Sequence, residues 1–134
     1  MVRATAVGAI DEVNRLEVHY WLDGPAQPEG RVYGKPRELM FQRNGQALAA
    51  SSPGGDADRP ESWSRLGEVH VPTLLLVGDY DETGLMPLTE LMAAHISAAQ
   101  IQRLNGSAHC PMLDQPRQFA STVLGFLAAA GIGR

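Results

Sequence analysis

The stretch that most constrains this chain is Val71-Pro72-Thr73-Leu74-Leu75-Leu76-Val77, a continuous apolar run that ends at Gly78. A short run without polar alternation is how a strand covered on both faces of a parallel sheet reads. Pro72 near its start argues against a helix, because proline removes a backbone donor and crowds the preceding turn. A helical pattern follows over 87–96, with Leu88, Leu91, Met92 and Ile96 on one side, and then a second short strand over 100–104. Strand, helix, strand is the unit of a parallel sheet, and a right-handed crossover is expected. The fold class is therefore α/β. A last helix over 116–129 spaces Phe119, Val123, Phe126 and Leu127 on one face, ready to lie on that sheet.

The sequence before this unit has a different style. Residues 11–23 predict an amphipathic helix capped by Asp11, with Val13, Leu16, Tyr20 and Trp21 at spacings of three and four, and Gly24-Pro25 stops it. Residues 25–34 read as a loop. Pro36 suits the first turn of a second helix that uses Leu39, Met40, Ala47 and Leu48. Asn44-Gly45 weakens that helix, since an interior glycine costs about 1 kcal/mol relative to alanine. Ser51-Ser52-Pro53-Gly54-Gly55-Asp56 is the clearest linker. It suggests a cap-like helical segment with its linker over 1–60 and an α/β segment over 61–134.

Composition removes several classes of function. With 44% hydrophobic and 19% charged residues the chain reads as a soluble globular protein. Its apolar runs fall well short of the roughly 18 residues a membrane span needs. The N-terminus meets Arg3, Asp11 and Glu12 without a long apolar core, so no secretory signal is read there. Eleven basic and fifteen acidic residues leave a formal charge of −4 with no Lys/Arg cluster, so nucleic acid is not an expected partner. The single cysteine, Cys110, excludes an intrachain disulfide and fits a reducing, cytoplasmic setting.

Chemistry on an open parallel sheet gathers outside the carboxyl ends of its strands. Two loops stand there: Gly78-Asp79-Tyr80-Asp81-Glu82 and Asn105-Gly106-Ser107-Ala108-His109-Cys110-Pro111. Asp81 and His109 are 28 residues apart, close to the roughly 30 residues of one βαβ unit, so neighbouring strands can deliver both to one sheet edge. The segment from Val71 to Asp81 is similar to the α/β-hydrolase strand whose G-x-x-D turn presents the triad acid. The ending Gly106-Ser107-Ala108-His109-Cys110-Pro111, with Asp114-Gln115-Pro116 and Phe119, resembles that family's G-x-x-H-x-P ending, which carries the triad histidine and leads into the C-terminal helix. The similarity covers about residues 66–128, and the part before it resembles more loosely the helical cap of such enzymes.

This resemblance implies a partial α/β-hydrolase fold with Asp81 as orienter and His109 as general base. It implies hydrolysis of an ester, lactone or related acyl bond in a small-molecule substrate, with no cofactor, no metal and no membrane partner. The family's G-x-S-x-G nucleophile elbow occurs nowhere between Met1 and Arg134, and its oxyanion-hole loop is absent too. These features lie together in the N-terminal half of a typical member. The expectation is therefore a C-terminal half that is inactive alone, whose uncovered strand edges favour a homo-oligomer or association with the missing N-terminal half.

Other readings stand beside this one. The chain could be a non-catalytic, hydrolase-derived interaction module, or a subunit completed by another chain. Asp79 is the fallback acid if the turn register shifts by two, and both aspartates also suit an ordinary turn. Asp79, Asp81, Thr83, Gly84 and Glu90 match the calcium-loop spacing over 79–90, although that loop follows a helix and not a strand. Cys110 reads as a small buried hydrophobe rather than a nucleophile or zinc ligand. His19, His70 and His95 read as surface or packing residues, while Trp21 and Tyr20 suit either a pocket under a cap or the core of a helical hairpin.

Overall fold

The computed structural model describes residues 2–50 and 62–132. At its centre are two parallel strands, β1 (Thr73–Gly78) and β2 (Ala99–Leu104), in register from Thr73 opposite Ala99 to Gly78 opposite Leu104. Parallel pairing requires a crossover, and helix α3 (Leu85–His95) supplies it, packing on both strands. Pro72 has no N–H to give, and the ladder accordingly starts one residue later, where the Thr73 amide donates to the Ala98 carbonyl at 3.0 Å. A short helix, α4 (Pro111–Asp114), follows the second strand and runs into α5 (Pro116–Ala129), which packs on β2. Phe119, Val123, Phe126 and Leu127 are half-buried along one side of α5, as the spacing predicts, while Leu124 on the other side is 65% exposed. A 3-10 stretch, Trp63–Glu68, precedes β1 and leans on α3.

The expectation that β1 is covered on both faces fails over most of its length. Only Val77 and Gly78 are buried; Thr73 to Leu76 are half-buried. Two strands with α3 and α5 do not supply enough neighbours to enclose the strand. The buried apolar residues Val77, Leu104 and Ala108 instead cluster at the carboxyl ends of the strands, with Ile96 at the end of α3 and Val18 and Leu22 in the first helical segment.

In that helical segment, α1 runs Val2–Val18 and continues as a π turn over His19–Asp23, and α2 spans Lys35–Ala49. Asp11 therefore does not cap a helix; it is an exposed residue in the interior of α1. The expected apolar stripe is also misplaced, because Val13 and Leu16 are exposed and Asn14 and Val18 are buried. Polar bonds decide the face. Asn14 donates to the Phe41 carbonyl at 2.9 Å, and Asn44 donates to Asn14 Oδ1 at 3.0 Å and to Glu17 at 2.7 Å. Gly45, expected to weaken α2, sits where a Cβ would lie 2.9 Å from the Asn14 amide nitrogen, so the glycine is what lets the two helices approach.

The linker read at 51–56 and the division between residues 60 and 61 lie outside the described residues. No helix among the described residues is long and apolar enough to cross a membrane.

Candidate active site

Gly78 ends β1 and turns the chain back toward the second loop. A Cβ there would lie 2.2 Å from the Ser107 carbonyl oxygen and 2.6 Å from that of Ala108, so only glycine lets the two loops touch. The loops are then sewn together by main-chain bonds. The Asp79 amide donates to Leu104 at 3.1 Å and the Tyr80 amide to Ser107 at 2.9 Å. Asp79 turns its carboxylate inward and accepts the Gly106 amide at 2.7 Å. It is thus a loop tie, not the partner of a histidine.

Asp81 is the residue that meets His109. Its carboxylate lies 3.0 Å (Oδ2) and 3.3 Å (Oδ1) from His109 Nδ1, and its Oδ1 also accepts the Glu82 amide at 3.0 Å. The Asp81 side chain is 6% exposed and that of His109 is 48% exposed. With Nδ1–H donating to the carboxylate, Nε2 carries the free lone pair, which is the tautomer a general base requires. The rest of the ring is also held. Trp21 lies against the imidazole with ring centroids 4.7 Å apart, and the Trp21 carbonyl accepts the His109 amide at 3.1 Å. Tyr20 meets Trp21 edge-on at the same centroid separation. The π turn thus presents Trp21 to the histidine, with Tyr20 behind it.

Beside the pair is a cavity of about 250 Å³, lined by Val77, Leu85, Met112 and Phe119 together with Asp81 and His109. Two nucleophile-type side chains lie close by in sequence, and neither is offered to the imidazole. Ser107 is fully buried and its hydroxyl donates to Asp114 at 2.8 Å. The Cys110 thiol is pushed up by burial and then by the nearby Asp114 and Asp81 carboxylates, so it stays protonated and weakly nucleophilic.

The calcium-loop reading of 79–90 does not survive the geometry. Helix α3 begins at Leu85, which puts Glu90 on a helix, and Asp79 and Asp81 are committed to Gly106 and to His109. Among the described residues no group of three or more His, Cys, Asp or Glu is placed to hold a metal ion. His19 lies 3.4 Å from Asp23, and His95 Nδ1 lies 2.8 Å from the Leu91 carbonyl oxygen within its own helix.

Three residues have roles that the sequence reading did not assign to them. Asp23, fully buried, accepts the amides of Gly30 and Val32, each at 2.9 Å, and Arg37 at 2.7 Å. Burial alone would raise its carboxyl, but these donors outweigh burial and hold it below the ordinary carboxylate range. Asp114 accepts the Ala108 amide at 2.7 Å, and Arg31 reaches Asp114 at 2.8 Å. Asp114 carried a signal, five residues after the histidine and two before Pro116. Arg31, in a Pro/Gly loop 83 residues from its partner, carried none.

No family model matches the chain. A Bacillus subtilis (strain 168) protein named "Putative 2-succinyl-6-hydroxy-2,4-cyclohexadiene-1-carboxylate synthase" is 30% identical over 94 residues, which are 69% of this chain and 34% of that protein. Among solved structures, MenH from S. aureus matches with a TM-score of 0.65 at 24% identity, covering 96% of this chain and 52% of its own. A thermophilic esterase matches with a TM-score of 0.66 at 19% identity, covering 90% of this chain and 47% of its own. The chain spans about a third of the curated relative and about half of each of these structures. The chain folds as part of the α/β-hydrolase architecture.

Proposed function

We propose that this chain supplies the acid and the histidine of an α/β-hydrolase active site, with His109 as general base and then general acid and Asp81 as its orienter. The observation that carries the reading is the 3.0 Å contact between a nearly buried carboxylate and Nδ1 of a half-exposed imidazole at the carboxyl ends of adjacent parallel strands. In the proposed reaction the free Nε2 takes the proton of a nucleophile as that nucleophile attacks an ester, lactone or related acyl carbon of a small molecule. The imidazolium then returns the proton to the leaving group, and Asp81 stabilises the positive ring in between. Fold alone does not choose among these substrates: the solved neighbours include an esterase, and the curated relative is named a synthase.

The nucleophile is not read in the sequence, since no G-x-S-x-G string is present and Ser107 and Cys110 are unsuited to the part. The reading therefore includes a nucleophile-bearing N-terminal half, covalently joined or separate, without which the 134 residues are inactive. The test is to combine the chain with the N-terminal half of an α/β-hydrolase, by mixing or by fusion, and to assay p-nitrophenyl acetate. Activity should appear only in the combination, and Asp81→Asn and His109→Gln should each lower it by roughly 10³-fold or more. Activity indifferent to His109 would end the proposal. Inactivity of every folded combination would favour the second reading, a non-catalytic interaction module derived from a hydrolase.

A further inference from the structure

Arg31 belongs to the loop between the π turn and α2, well away in sequence from the histidine loop, yet its guanidinium is spent almost entirely on the surroundings of His109. Its Nε donates to the Asp23 carbonyl at 2.7 Å, Nη2 to the Leu22 carbonyl and to Asp114 Oδ2 at 2.8 Å each, and Nη1 to the Gly106 carbonyl at 2.9 Å. Its side chain is 19% exposed, that of Asp114 is fully buried, and the guanidinium carbon lies 5.1 Å from the centre of the Tyr80 ring. Asp114 passes the restraint on, since its two oxygens accept the Ala108 amide and the Ser107 hydroxyl, the two residues just before His109. The amide of His109 itself is taken by the Trp21 carbonyl, one residue before Leu22. A fork of donors in fixed geometry is what lets a single side chain join two loops and a carboxylate at once, and lysine has no equivalent.

We infer that Arg31, acting through Asp114 and the Leu22 and Gly106 carbonyls, is a positioning residue for His109, and that the segment 19–34 is a fixed brace of the base loop and not a hinged lid. This deepens the proposal above, resting on His109 as the base, and the brace is nevertheless separable from it by experiment. In the full chain, isotope-labelled for NMR, two quantities are followed: hydrogen-exchange protection of the Ala108 and His109 amides, and the Nδ1–H proton signal of the His109 ring. Arg31→Met should cut the protection of both amides by about tenfold or more and broaden or remove the ring signal, while the β1 and β2 amides keep their protection. Arg31→Lys should restore only part of the effect. Arg65→Ala, at an exposed pair with Glu68, should change neither.

Should Arg31→Met fail to fold, Asp114→Asn tests the same link with a smaller change, and the same losses are expected. Both readouts unchanged in a folded Arg31→Met or Asp114→Asn protein would overturn the brace. Asp81→Asn separates the two ideas, because it should remove the ring signal and leave the Ala108 and His109 amides protected. A native ring signal that Asp81→Asn does not alter would count against the Asp81–His109 pairing while leaving the brace to be judged on amide protection.

Discussion

At the scale of single residues, the site depends on four carboxylates whose neighbours give each a different role. Asp79 ties its loop to Gly106, Asp81 meets the imidazole, Asp114 holds the two residues before His109, and Asp23 organises the loop that carries Arg31. None of these roles follows from residue type, since all four are aspartates near turns. Asp23 makes a prediction for acid. Its folded-state carboxyl titrates below the ordinary value of 3.8, so the unfolded chain takes up the proton first as the pH falls. The stabilisation is complete above that ordinary value and is lost as the pH drops through the lower folded one. Urea unfolding midpoints between about pH 5 and about pH 2 should therefore fall steeply in the native chain and less steeply in Asp23→Asn. At neutral pH the same variant should lose roughly 3 kcal/mol, because Arg37 and two amides lose a charged acceptor that is fully buried.

At the scale of elements, the helical hairpin shows how polar contacts can set a helix face against the apolar pattern. Asn14 and Asn44 bond across α1 and α2, Gly45 makes room for Asn14, and Val13 and Leu16 are left in solvent. The predicted consequence is a coupling. In an unobstructed helix interior, glycine to alanine gains about 1 kcal/mol. Here Gly45→Ala should gain nothing or destabilise, since the new methyl meets the Asn14 amide, itself bonded to the Phe41 carbonyl. In an Asn14→Ala background the same substitution should recover the gain, and a double-mutant cycle by chemical denaturation should give a coupling of about 1 kcal/mol or more. Additive effects would show that the close approach is not what the glycine is for.

At the scale of the whole molecule, the sheet among the described residues has two strands and thus two edges, and several large apolar side chains are exposed. Val71 and Leu124 are 65% exposed, Trp63 50% and Leu91 49%. Open edges and exposed apolar surface favour pairing with another chain. We expect sedimentation velocity to show association that rises with protein concentration. Substituting Leu91 and Leu124 by glutamate should shift the chain toward monomer, while the Asp81–His109 ring signal is kept. A concentration-independent monomer would count against this expectation.

The order of elements, the parallel strand–helix–strand unit and the two residues at its carboxyl edge were legible in the chain because they are local patterns: an unbroken apolar run, a glycine at its end, and a spacing of 28 positions from Asp81 to His109. Gly78 was legible as the end of a strand, but its reason, the close approach of the Ser107 carbonyl, was not. Tertiary structure alone gave the fallback acid Asp79 its work, turning that carboxylate inward to the Gly106 amide and leaving Asp81 to the imidazole. It also decided that Trp21 leans on His109 and that Arg31 reaches Asp114 across 83 residues. Such contacts join segments whose sequences carry no trace of one another, and a guanidinium in a loop of prolines and glycines gains its partners only when the loop is folded against them.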